Sequence, residues 1–404
     1  MKATICMLIA LCYVAMNGYP QNAQKPVRAT SLFELNTTMV AFGAPSTRLV
    51  LGWQADVNTL FQDGMDGVEG YFDLRHPGQE LLRSGALALF TGVSLIVNRA
   101  FSLTAHDENH MEAAQAIGAS SVGLVRADTF QSLSLGEFFL ESFDFTSEPG
   151  LYSYVKPNAT LEELAYVAGE GLDTNQLIAN AVSTGMIEVG GHIMDLAPYL
   201  LNKLWGIPYF LETGPYSDAA NYMSLLQQQG YGTPGTNSVI FLSAASCLLS
   251  GGFLGLMQGT LNFIENGDTA VKPLKLKIGE ASLFWPEMTT WLNPKNVSLQ
   301  VSMNAAWRDF LFLQAGVDAA VLGDTNVTPE ITLGTKVRID WIILGIEITS
   351  NFAGLPFFLG SIELSPWRFF SIGVRGFYGT GNTNRELREY PLGSGVIGFL
   401  RARL

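Results

Sequence analysis

Two stretches decide how the chain is read: Val297-Ser298-Leu299-Gln300-Val301-Ser302-Met303-Asn304-Ala305 and Ile331-Thr332-Leu333-Gly334-Thr335-Lys336-Val337-Arg338-Ile339-Asp340. Side chains on a β-strand point alternately to opposite faces, so a period of two gives each strand one apolar and one polar face. In the second stretch the polar face carries Lys336, Arg338 and Asp340. Upstream of about residue 270 apolar residues instead come in long blocks with helix-like spacing. That switch of period predicts an α+β chain, with a helical region over 30–265 and an antiparallel β-region over 272–404.

The β-region divides into about eight strands, near 274–284, 297–307, 310–322, 330–339, 342–351, 357–364, 367–378 and 395–404. Arg308-Asp309, Asp340-Trp341 and Ser365-Pro366 leave room only for tight turns. Longer stretches rich in Gly, Asn, Pro and Thr lie between, at 285–296, 323–329, 352–356 and 379–394. Phe284, Trp285, Trp291, Trp307, Trp341, Trp367, Phe377 and Tyr378 gather near strand ends, where interfacial girdles place aromatics. Short turns on one side, long loops on the other and amphipathic strands resemble the bacterial outer-membrane β-barrels. The resemblance implies a closed transmembrane barrel of eight strands, a lipid-bilayer partner and a cell outer-membrane location. The final Leu404 departs from the aromatic end usual there. Eight strands enclose an interior about filled by side chains, which suits an anchor better than a wide pore. A soluble β-sandwich with one buried face is the alternative.

Met1 and Lys2 precede an apolar run from Ala3 to Met16 and a polar exit, which reads as a signal peptide over 1–23. Cys12 is a possible lipidation site, although Leu11 before it fits a lipobox poorly. Beyond the leader only Cys247 remains, so no internal disulfide forms. The net charge of −13 lacks the basic footprint of a nucleic-acid binder. Charged residues at 15% against apolar ones at 48% suit a chain with much surface against lipid.

In the helical region, residues 80–118 read as two helices, and 160–182 as one opened by a Thr160/Glu163 capping box. Residues 188–205 read as another amphipathic helix, stopped by Gly206 and Pro208, and 215–230 as a short helix opened by Pro215. Val239 to Ile264 is apolar enough to span a bilayer but is broken at Ser250-Gly251-Gly252, which predicts a buried or re-entrant hairpin. An inner-membrane span is the alternative there.

His106-Asp107-Glu108-Asn109-His110 sets two imidazoles at i and i+4, on one helical face and one turn apart, as two zinc ligands require. Over about fifteen residues the run resembles the zincin metallopeptidases, whose motif is HExxH on a helix. The resemblance implies zinc as cofactor, a peptide or protein partner and a third ligand from elsewhere, for which Glu170, His192 and Asp195 are the candidates. Where the family carries a Glu as general base toward water at the metal, this chain has Asp107, one methylene shorter. The expectation is a degenerate metal site with Asp107 as its catalytic group and peptidase activity weak or absent. Solvent-facing histidines on a non-enzymatic outer-membrane anchor, adhesin or transport module are the alternative.

Overall fold

The computed structural model describes residues 33–36, 46–126, 129–144, 151–211, 217–231, 235–308, 310–367, 370–379, 383–384 and 394–402. A short strand, β1 (Phe33–Asn36), precedes two long helices, α1 (Ser46–Phe72) and α2 (Glu80–Ala116). The strands β2 (Ser120–Val125), β3 (Ser132–Leu133) and β4 (Leu151–Val155) pair in the order β3-β2-β4, and α3 (Leu135–Glu141) follows β3 in the chain. Next come α4 (Leu161–Val189), β5 (Gly191–His192), one 3-10 turn over Ile193–Asp195, α5 (Leu196–Lys203) and α6 (Gly206–Leu211). The helical part closes with α7 (Asp218–Gln228), α8 (Thr236–Leu249) and α9 (Gly251–Asn266), after which β6 (Ala270–Val271) pairs with β5. The leader, Pro215 and the loop over 385–393 lie outside the described residues.

Local chemistry accounts for several boundaries. The expected capping box opens α4: Thr160 Oγ1 accepts from the Glu163 amide at 3.2 Å, and the Glu163 carboxylate accepts from the Thr160 amide at 2.9 Å. Helices α8 and α9 meet at a bend of 55° around Ser250, as the glycine break predicts. A Cβ on Gly251 would stand 2.6 Å from the Trp285 carbonyl, so only glycine lets the chain pass there. One continuous helix of 37 residues replaces the two expected over 80–118. Asn98 is buried within it, where its amide donates to the Ser94 carbonyl and accepts from Gln54.

The two larger apolar cores hold most of the helices. Phe61, Met65, Ile193, Met194 and Phe263 are almost wholly buried in the first, and Tyr222, Leu226, Leu292 and Val297 in the second, which joins helices to strands. A buried ion pair reinforces that joint: Lys203 Nζ of α5 meets Glu287 at 2.9 Å, and Tyr199, Ser183 and the Gly252 amide also donate to the same carboxylate. Every charge taken out of water there is compensated.

The remaining strands form one large antiparallel sheet. They are β7 (Lys275–Ile278), β8 (Ala281–Phe284), β9 (Glu287–Leu292), β10 (Asn296–Trp307), β11 (Leu311–Gly323), β12 (Glu330–Ile339), β13 (Ile342–Ser350), β14 (Phe357–Trp367), β15 (Phe370–Tyr378) and β16 (Gly395–Ala402). The order is β1-β16-β15-β14-β13-β12-β11-β10-β8-β7, with β9 also on β10. Three strand expectations change. Residues 274–284 fold as a hairpin, because Gly279 turns at φ +62° between β7 and β8. The expected loop 285–296 contains β9, which alternation does not reveal because five of its six residues are buried. β1, placed by sequence in the helical region, adds an edge to β16. The turns at Arg308 and Asp340 stand, each with positive φ, whereas β14 runs on through Ser365-Pro366 to Trp367. Among the described residues β1 and β7 are the two ends of the path and do not pair, so the sheet is open rather than a closed eight-stranded barrel.

The sheet buries its polar face. Ser298, Gln300, Thr332 and Thr349 are buried, while Met303, Val317, Leu333, Ile346 and Ile362 point to the exterior. Laterally, Met303 pairs with Ala315, Ala315 with Leu333, Leu333 with Ile348, and Ile348 with Phe358, so the apolar rows continue across five strands. The C-terminal end of α4 stands against the polar face, where Glu188 binds Lys336 and a cleft opens among Thr184, Ile187, Gln314 and Glu347. Trp307 and Trp341 are exposed at the tight-turn end and Tyr378 at the other, whereas Phe284 and Trp291 are buried.

Candidate metal centre

His106 and His110 lie one turn apart near the C-terminal end of α2, both essentially without exposure. Their Nε2 atoms stand 3.1 Å apart. Asp218, the first residue of α7, brings its Oδ2 to 3.2 Å from each of them. The carboxylate is held there by its place at a helix N-terminus, where the dipole favours negative charge, and by Tyr152 of β4, whose hydroxyl donates to Oδ1 at 3.0 Å. Among the described residues these three are the one group of His, Cys, Asp and Glu side chains set to hold a metal ion.

The partners of the other ring nitrogens fix the tautomers. Nδ1 of His110 faces the Val167 carbonyl, which only accepts, so the proton sits on Nδ1. Nδ1 of His106 faces Asn175 Oδ1 at 3.1 Å. The orientation of that amide follows from the next bonds: Asn175 Nδ2 donates to Asn202 Oδ1, and Asn202 Nδ2 donates to the Pro198 carbonyl. Both imidazoles therefore turn Nε2 toward the carboxylate. Metal-ligating histidines show this pattern, with the second nitrogen donating to a carbonyl.

Space at the triangle is kept open by a missing side chain. A Cβ on Gly171 of α4 would lie 2.2 Å from His110 Nε2 and 2.6 Å from His106 Nε2, so this position faces the imidazoles only as glycine. Aromatic rings close the flanks: Tyr152 stacks on His110 at 4.1 Å and Tyr209 of α6 lies 5.2 Å from His106. Burial raises the Asp107 carboxyl to about 8 against the pull of His106, with Asp218 adding to the rise. Glu108 is likewise raised to about 8 by burial and by Glu112. Burial also works to raise Asp218, but the charge and hydrogen bonds of His110 and His106 outweigh it and hold the carboxyl well below the usual range. The Tyr152 hydroxyl is pushed far up by burial and by Asp218.

The structure brings together His106 and His110 and places Asp107 within electrostatic reach of them. It does not bring the expected third ligands. The Glu170 carboxylate accepts from Asn109 Nδ2 at 2.9 Å. His192 Nδ1 accepts from the Met194 amide, which leaves Nε2 protonated toward Asp66 at 3.3 Å, so this ring caps the 3-10 turn. Asp195 accepts from Asn58, Gln62 and the His192 amide. The third position belongs to Asp218, 108 residues beyond His110 in the chain. Its only local sign in the sequence is an acidic first turn after Ser217, a feature of many helices. Comparison with family models, curated proteins and solved structures finds no match for this chain.

Proposed function

We propose that the protein is a membrane-anchored zinc protein: the helical region carries a three-ligand centre, and the sheet turns its apolar face to the lipid of an outer membrane. The observation that carries the metal reading is the triangle of two Nε2 atoms and one Oδ2, with edges of 3.1–3.2 Å. A carboxylate and two imidazole nitrogens packed this closely away from water call for positive charge among them, which a metal ion would supply. Tetrahedral zinc with bonds of about 2.0–2.1 Å sets its ligand atoms about 3.3–3.4 Å apart, close to what is found. Imidazole pairs favour zinc over calcium or magnesium, which take oxygen ligands.

Three protein ligands leave a fourth position, the pattern of catalytic rather than structural zinc. Zinc there supplies a Lewis acid, and Asp107 holds the place of the base in the zincin motif. We infer a hydrolase-type centre acting weakly on a peptide or protein partner. Complete burial of both imidazoles favours a second reading, a structural ion that pins α7 to α2. Cobalt substitution separates the two. A visible spectrum that shifts on adding azide supports an open position. A spectrum indifferent to anions supports the structural ion, and no cobalt spectrum at all contradicts a metal centre.

The inverted sheet supports the anchor, since soluble sandwiches bury the face that here points outward. Fractionation tests it: recovery with outer membranes is expected, and recovery only as a soluble periplasmic protein contradicts it.

A further inference from the structure

The reading of the sheet as lipid-facing leaves the hairpin of α8 and α9 unaccounted for. From Thr236 to Ile264 the chain holds no charged residue. Its two helices span only 14 and 16 residues, about 21 and 24 Å at the α-helical rise, so neither crosses a hydrocarbon core of about 30 Å alone. They bury a narrow stripe including Val239, Cys247, Leu256 and Phe263, and expose large apolar side chains opposite it: Phe241 is 74% exposed, Leu261 57% and Leu248 55%. At the bend the exposed Trp285 donates its indole N–H to the Leu249 carbonyl, which satisfies a helix-end acceptor without water. The hairpin also joins the sheet's exterior, because Phe241 and Leu242 border one surface hollow with Val321 and Leu322 of β11.

We propose that α8 and α9 form a re-entrant hairpin embedded in the same bilayer as the sheet, with acyl chains covering Phe241, Leu248 and Leu261. This rests on the membrane reading of the sheet. The occupant is lipid rather than a protein partner because the hairpin surface carries no charge and continues the sheet's apolar exterior across β11, where Phe241 and Leu242 share a hollow with Val321 and Leu322 and only the neutral Asn237 and Ser238 border it.

The test uses full-length protein with Cys6, Cys12 and Cys247 replaced by serine, reconstituted into phosphatidylcholine vesicles with brominated acyl chains. A single cysteine at Phe241→Cys, Leu261→Cys, Leu333→Cys or Asn326→Cys carries an environment-sensitive fluorophore. Bromolipid quenching and a blue shift are expected at the first three positions, with neither at the exposed loop position Asn326. Quenching at Leu333→Cys without quenching at Phe241→Cys and Leu261→Cys overturns the hairpin and leaves the sheet in lipid. Quenching at none of them overturns the membrane reading itself. A blue shift at the hairpin positions without quenching also overturns the proposal, since protein then covers them.

Discussion

The helical region and the sheet solve burial in opposite ways. Around α1, α2, α5 and α9 the interior is Phe61, Met65, Ile193, Met194 and Phe263. In the sheet the interior is Ser298, Gln300, Thr332 and Thr349, and the exterior is Val317, Leu333, Ile346 and Ile362. An exposed contiguous apolar surface is the informative departure from a soluble fold, and the proposed lipid surroundings of the sheet would account for the reversal. The polar groups within the helical core have a different origin. They are bonded in specific networks, one of which surrounds His106, His110 and Asp218.

The contrast can be broken at the joint first. Lys203→Met leaves Glu287 charged and buried between the two regions, and a loss of about 3–5 kcal/mol is expected as a lowered urea midpoint. A small change would mean that water reaches the pair. Next in size is Leu333→Arg on the outward face. For protein refolded in vesicles it should cost about 2–4 kcal/mol if that residue meets the middle of a bilayer, against almost nothing on a wetted surface.

Gly171→Ala sharpens the comparison inside the helical region. A methyl group cannot sit 2.2 Å from His110 Nε2, so the imidazoles must shift at a cost of about 1–3 kcal/mol, with zinc affinity lowered as well. Thermal melting with and without zinc reads both effects, and unchanged affinity would count against the centre. The smallest effect is expected from Thr160→Ala, which removes the cap of α4 for about 1 kcal/mol and leaves metal content unchanged.

What the sequence discloses follows the same division. Strands β10 to β13 are legible because one face meets the exterior and the other the polar interior, so alternation is written into them. β9 is not, being buried on both sides, and α1 is not, because Gln54, Asn58, Gln62 and Asp66 recur every fourth residue as a polar stripe bonded into the core. The histidine pair is legible because one turn of one helix brings it together. Asp218 is not, since only the packing of α7 against α4, and of β4 against α2, carries it there. The same packing commits Glu170, His192 and Asp195 to other partners.

Metal analysis of the purified, membrane-reconstituted chain tests the central claim most directly. Wild-type protein loaded with zinc and dialysed should retain one equivalent, with X-ray absorption reporting two imidazole nitrogens and a carboxylate oxygen at about 2.0–2.2 Å. His106→Ala/His110→Ala and Asp218→Ala variants should each retain almost none, while Glu170→Gln and His192→Gln retain it. Equal zinc in the wild type and in the His106→Ala/His110→Ala and Asp218→Ala variants, or loss of zinc with His192→Gln but not with Asp218→Ala, would contradict the account.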